Sequence, residues 1–312
     1  MNAALVLLPD FGLILLGAAL RRVLHLGDHF WNGLEKLIYF VLFPALLFSG
    51  LVRTRIDWAM AMPLILVVAA AMASGMLLGA IARGFGISSV SFASQYQCAF
   101  RFNSYIGLAV AGSLHGTAGI AAMAIAIGVM VPPANVMAVW MLARHGESNV
   151  VAELAKNPLI LATLVGIAAN VGGLALPEVA LKFLGRLSEA SIALGLLAVG
   201  AGLGVGVGRK ESSAAHAPKV SPGGTAQGAT AAYLLAVKLL AMPAVAWLLA
   251  RAAGLDPLYA DIALIFAGLP TASSAYILAQ RMGGDGRRVA WLISVSTLLG
   301  MLTLPLWLSL PK

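Results

Sequence analysis

Three ionisable side chains sit deep inside apolar stretches of this chain: Arg101, Glu189 and Lys238. About ten residues separate Glu189 and Lys238 from the start of their stretches, and helical rise of ~1.5 Å per residue carries each to roughly 15 Å, near a bilayer midplane. A charge at that depth costs about 2.5–3.5 kcal/mol on insertion scales, so each marks a candidate functional site. Arg101 stands out through its neighbours Gln95, Gln97, Asn103, Ser104 and Gly107, a density of polar groups that an unbroken lipid-facing helix does not carry. Lys238 and Glu189 read equally well as partners in an inter-helix ion pair or, for the lysine, as a side chain snorkelling to the surface.

A second polar stretch lies far along the chain, from Gly268 through Pro270, Thr271, Ser273 and Ser274 to Tyr276. Pro270 has no N–H to donate and crowds the preceding turn, so a helix is expected to break there, with Gly268 loosening the same place. Broken backbone at membrane depth is tolerated only when buried in protein or lining a polar cavity. Freed N–H groups and the positive end of a helix suit an anion. The expected binding shell is therefore Arg101, Lys238, Gln97, Asn103, Ser104, Tyr105, Pro270, Thr271, Ser273, Ser274 and Tyr276, with Gly107, Gly268 and Pro270 as hinge points. Glu189 and Asn135 are the candidates for ion or proton coupling, Asn135 following Pro132-Pro133, which are expected to interrupt the fifth segment.

Other chemistries lack their residues. No Ser-His-Asp set, HExxH or paired carboxylates occur in a plausible site, so an enzyme is not expected. The five histidines show no metal-ligand spacing and read as solvated positions at segment ends, in loops and in a polar linker. The glycine run at 200–208 lacks the Lys-Ser/Thr of a phosphate loop and follows no strand. No cofactor is implied beyond a coupling Na+ or H+.

The elements that position these residues follow from composition. Hydrophobic residues make up 61% of the 312 and charged ones 10%, against about 25% charged in a soluble domain. The mean hydropathy of +0.94 belongs to a chain that sits in lipid. Spans of roughly 20 apolar residues are needed to cross a bilayer. Ten are expected, at 4–20, 35–52, 59–83, 90–112, 117–142, 158–175, 179–207, 228–250, 259–280 and 288–309, with a polar linker at 209–227. Met1–Leu8 carries no basic leader, so the first stretch reads as a retained helix rather than a signal peptide. The net charge of +8 forms no basic stripe of the kind that follows nucleic acid, and none is expected as a partner. Twelve basic residues lie in connections on one side, against six (Arg53, Arg55, Lys182, Arg186, Arg251 and Lys312) on the other. The positive-inside rule then places both termini outside the cytoplasm, in a multi-pass protein of the plasma (inner) membrane.

Internal matches suggest an inverted repeat. Residues 13–27 align with 162–176, 80–87 with 248–255, and 103–109 with 274–279, the last pairing Asn103 with Ser274 and Tyr105 with Tyr276. Two five-helix halves follow, 1–142 and 158–312, joined by a cytoplasmic connection at 143–157.

The stretches FRFNSYIGLA (100–109), KNPLILATLVGIAAN (156–170), KLLAMP (238–243) and LPTASSAYILAQRMGGDGRRVA (269–290) resemble the auxin efflux carrier family, and most nearly its bacterial, malonate-transporter-like members. The resemblance covers nearly the whole chain. It implies an all-α fold of ten transmembrane helices shared with bile-acid/sodium symporters, in which helices 4 and 9 are broken and cross. Helices 1, 2, 6 and 7 would form a scaffold and a homodimer contact, and helices 3–5 and 8–10 the moving crossover domain. Asn103 with Gly107 marks the first crossover and Pro270 with Thr271 the second; Ser274 stands where many relatives carry Asn. The resulting expectation is secondary transport of a small organic anion, a dicarboxylate such as malonate, by alternating access. Efflux of an auxin-like aromatic carboxylate is the alternative, with Phe102, Tyr105 and Tyr276 as its apolar compartment. A receptor or intramembrane enzyme is the reading from another class, and lacks a signalling domain or a nucleophile-base set.

Overall fold

The computed structural model of the chain describes residues 3–24, 26–53, 58–143, 158–174, 176–203, 225–272 and 274–311. Among these residues the protein is entirely helical, with no strand. We number the helices α1 (Ala3–Val23), α2 (Asp28–Leu37), α3 (Phe43–Arg53), α4 (Trp58–Ile81), α5 (Ser89–Tyr96), α6 (Ser104–Ala143), α7 (Pro158–Val171), α8 (Glu178–Gly202), α9 (Thr225–Ala236), α10 (Met242–Ala252), α11 (Pro257–Gly268), α12 (Ser274–Arg281) and α13 (Gly286–Leu308). Six stretches of the described chain are long and apolar enough to cross a membrane, and α11 and the 161–171 part of α7 are shorter apolar helices. The connection at 144–157 and most of the 209–227 linker lie outside the described residues.

Two pairs of helices are joined end to end by single π turns, Ile38–Leu42 between α2 and α3 and Val237–Ala241 between α9 and α10. Each is followed two residues later by a proline, Pro44 or Pro243. Proline has no N–H and its ring crowds the carbonyl four residues back, so the turn before it widens. In the second case that carbonyl belongs to Leu239, and it accepts a hydrogen bond from Trp307 Nε1 at 3.0 Å instead.

Pro132 and Pro133 do not interrupt α6, contrary to expectation: no residue there leaves helical geometry. Proline's φ is itself helical, so it deletes hydrogen bonds without forcing the chain out of the helix. The departure comes at Gly116, with φ 57° and ψ −141°, which divides α6 into 104–115 and 117–143. Glycine reaches that backbone region without Cβ strain.

Packing centres on two groups, with α6 lying against both. In one, α1 lies along α8 and α3 lies along α7 and α8. At the α1–α8 contact a Cβ on Gly200 would collide with the Ile14 carbonyl and one on Gly17 with the Leu197 carbonyl, so the two backbones touch. Small residues permit such approach in membrane helices, where packing rather than water exclusion drives association. In the other group α11 packs on α4, α6 and α10, α4 packs on α6 and α10, and α13 closes on α11 and α12. Phe100, Phe266, Lys238 and Leu108 are fully buried among them.

Candidate functional site

The two polar stretches form interruptions, and the interruptions bond to each other. Between α5 and α6 the chain leaves α-helical form through a 3-10 turn (Gln97–Ala99) and the non-helical residues 100–103; between α11 and α12 it is non-helical over 269–272. Asn103 N–H donates to the Pro270 carbonyl at 2.9 Å. Thr271 Oγ1 donates to the Cys98 carbonyl at 3.0 Å, and Gln97 Nε2 donates to the Ala275 carbonyl at 3.2 Å. Backbone groups released by one broken helix are thus satisfied by the other, as burial in an apolar interior requires. Ser296 on α13 supplies a further acceptor for Thr271 N–H at 3.2 Å.

Arg101 lies between the two interruptions, 8% exposed. Its guanidinium donates to Gln97 Oε1 at 3.1 Å, Asn135 Oδ1 at 3.0 Å and Ser274 Oγ at 3.0 Å. Each of these three partners is a neutral oxygen that holds the group in place. Ser274 is exposed and opens α12, so the cation touches the start of the second broken helix directly.

Asn103 caps α6. Its Oδ1 accepts from Tyr105 N–H at 3.0 Å and Ile106 N–H at 3.3 Å, satisfying two of the unpaired donors of a helix start. Those two bonds fix the amide orientation and turn Nδ2 the other way. Nδ2 is buried and has no hydrogen-bond partner among the described residues, at a side chain 2% exposed. A buried donor left unmade costs about 1–3 kcal/mol, which a ligand oxygen or water would recover.

The remaining expected residues divide. Gly107 allows the Leu269 side chain to approach α6, and a Cβ there would crowd it. Gly268 ends α11 against Leu304. Tyr105 stacks on Phe43 with ring centroids 4.2 Å apart, and Tyr276 OH accepts from Gln280 Nε2 at 2.9 Å. Ser104 is half-buried as the first residue of α6, and Ser273 lies outside the described residues. Lys238, fully buried in its π turn, donates to the Ala267 carbonyl at 3.2 Å and approaches Met242 Sδ at 3.7 Å. That carbonyl belongs to the last turn of α11, where the helix ends with negative polarity and unpaired acceptors, so the ammonium caps a broken helix. Glu189 is not brought to the site. It is 76% exposed on α8, 3.8 Å from Arg186.

Some connections have no counterpart in the sequence reading. Asp285 ties the α12–α13 turn to α5: Ser91 Oγ donates to its Oδ2 at 3.0 Å, and its N–H donates to Ser94 Oγ at 2.8 Å. Asp10 on α1 accepts from Ser113 Oγ at 2.9 Å. His115, expected to be solvated, instead lies 3.0 Å from Asp261 Oδ2. Asp10 and Asp261 both stand inside apolar runs, VLLPDFGLIL and YADIALIF, and that was the available signal.

Apolar helices wrapped around a buried cation and two bonded interruptions define a membrane transporter. The chain belongs to the membrane transport protein family, whose profile matches residues 144–308, just over half its length. This bears out the resemblance to the auxin efflux carriers, and three of the four stretches that carry it, 156–170, 238–243 and 269–290, lie inside the match. A protein of Rhizobium meliloti (strain 1021) named "Putative malonate transporter" is 25% identical over 321 residues, spanning 96% of this chain and 92% of its own. An "Uncharacterized transporter" of Methanothermobacter thermautotrophicus is 27% identical over 302 residues, spanning 95% and 94%.

Proposed function

We propose that the protein is a secondary transporter of small organic anions, with a dicarboxylate such as malonate as substrate. The observation that carries this is Arg101, a buried cation held by neutral oxygens from α6, α12 and the 3-10 turn where the two interruptions bond together. One carboxylate would take the guanidinium, which offers paired donors to planar oxygens. The Asn103 Nδ2 donor and the starts of α6 and α12 would take the second. Malonate has two carboxylates on one carbon, one for each set of donors, and the name of the Rhizobium relative supports the choice. The aromatic alternative is less well supported. Phe102 is 5% exposed and packs on Phe266 at 4.5 Å, and Tyr105 is stacked on Phe43, so these rings already serve one another.

Transport proceeds by alternating access in a ten-span, five-plus-five inverted repeat, with broken spans four (α5 and 104–115) and nine (α11 and α12) crossing at the site. The glycine-mediated contact of α1 with α8, and of α3 with α7 and α8, supports a fixed scaffold from spans one, two, six and seven. The packing of α11 on α4, α6 and α10 supports a moving body that meets the scaffold along α6. A homodimer joined through the scaffold and an inner-membrane location with both termini outside, from the twelve-to-six distribution of basic residues, complete the reading.

Flux of labelled malonate, succinate and indole-3-acetate into proteoliposomes, with and without sodium and proton gradients, tests it. Saturable malonate or succinate uptake is expected. Uptake of indole-3-acetate alone would replace the dicarboxylate with the aromatic substrate, and no uptake of any of the three would remove the anion assignment.

A further inference from the structure

We propose that His115, held by Asp261, is the proton site through which this protein couples anion movement to a proton gradient. The inference rests on the transport reading above and adds its energy source.

His115 is the last residue of the 104–115 helix, directly before the chain leaves helical form at Gly116. Asp261 lies in α11, just over one turn from its start. Their side chains meet at 3.0 Å and are 22% and 11% exposed. Histidine is the side chain whose charge changes near neutral pH. With Nε2–H donated to Asp261 Oδ2, Nδ1 remains as an acceptor and takes one proton, converting a neutral imidazole–carboxylate pair into an imidazolium–carboxylate pair. Gly116 and Thr117 beside it are exposed.

The placement of the pair is what gives it a transport role. The helix that ends at His115 begins at Asn103, whose N–H bonds Pro270. The helix that carries Asp261 ends at Gly268, two residues before the same Pro270. Two half-helices are therefore joined twice, by the interruption bond between Asn103 and Pro270 and by the His115–Asp261 pair, ~18 Å further along the first helix. A charge change at His115 acts on the same two half-helices that form the anion site, without occupying that site. Among the described residues, ionisable groups on elements packed around them include Asp10 on α1, joined to Ser113, Asp256 at the start of α11, Arg186 and Glu189 on α8, Arg53 on α3, and Arg251 at the end of α10, over the Trp247 ring at 5.0 Å. Lys238 sits on the Ala267 carbonyl, and Tyr259 lies two residues before Asp261 on α11 itself. In the cycle one proton binds Nδ1 with the anion on one side, and both leave on the other, so a net proton accompanies each turnover.

The test uses the full chain in proteoliposomes loaded with a pH-sensitive dye and measures two activities with labelled malonate. Counterflow exchange at equal pH requires the anion site and no net proton movement. Accumulation driven by an inward proton gradient requires coupling. Wild type is expected to do both, with dye acidification tracking accumulation. His115→Gln and Asp261→Asn are expected to keep counterflow within about threefold and lose gradient-driven accumulation more than tenfold. Wild-type counterflow without proton-driven accumulation overturns this inference alone, as does undiminished accumulation in His115→Gln. Loss of counterflow together with accumulation in both variants makes the pair a determinant of fold rather than coupling and also overturns it. Absence of both activities in wild type overturns the anion reading and the inference with it.

Discussion

The contact between α1 and α8 and the contact between the two interruptions are both intimate, and they are made in different ways. At the first, Gly17 and Gly200 bring backbone against backbone with no side chain between. At the second, Asn103, Thr271, Gln97 and Arg101 reach across the gap with hydrogen bonds to Pro270, Cys98, Ala275 and Ser274. A glycine contact is fixed by shape, and any added atom disrupts it. A hydrogen-bonded contact between polar groups can be rearranged group by group, with water or ligand taking vacated positions. The first suits a part that stays fixed and the second a part that changes partners during a cycle.

The largest effect should come from attacking the shape-fixed contact. Gly200→Leu places a side chain into the Ile14 carbonyl and is expected to destabilise by more than about 3 kcal/mol, at or beyond the upper end of ordinary overpacking. Thermal unfolding in detergent should show a collapsed transition or no folded protein; a wild-type melting curve would disprove the backbone contact. Thr271→Val is the matching break in the polar region. It keeps the side-chain shape and leaves the Cys98 carbonyl without its Thr271 donor, at a cost of about 1–3 kcal/mol. Its melting temperature should fall by several degrees, with malonate affinity changing less than it does on removing Arg101. The smallest effect is expected from Lys238→Met. Met fills the same buried space without the cost of burying a charge, and Ala267 O loses a cap rather than the anion a ligand. Unchanged affinity and a melting temperature within about 2 °C of wild type would confine Lys238 to the helix end, whereas a tenfold loss of affinity would bring it into the site.

Much of this was legible in the residues. Runs of apolar residues placed the helices to within a few positions, because lipid accepts little else at the surface of a span. The start of α2 at Asp28 was missed by seven residues, since Asp28, Asn32, Glu35 and Lys36 make its first turns polar although they are helical. The Pro270 interruption was readable because a proline beside a glycine leaves a chemical trace. Gly116 was not, because glycine is compatible with a helix and nothing nearby says which conformation it takes. Pro44 and Pro243 signalled disturbed helices, but sequence alone does not distinguish a π turn from a kink. The site showed the same division. Arg101 and Asn103 announced themselves by polarity at depth. His115–Asp261 and Asp10–Ser113 are separated by about 146 and 103 positions, and only the fold reveals which acid meets which partner.

The central claim is that the two interruptions form one anion site organised by Arg101. Equilibrium binding of labelled malonate to purified wild type and Arg101→Gln, each with its melting curve, tests it most directly. Gln keeps a polar side chain among Gln97, Asn135 and Ser274, so the fold should survive. The account predicts saturable binding to wild type and at least a hundredfold weaker binding to the variant, with melting temperatures within a few degrees. Binding by Arg101→Gln within twofold of wild type would contradict it.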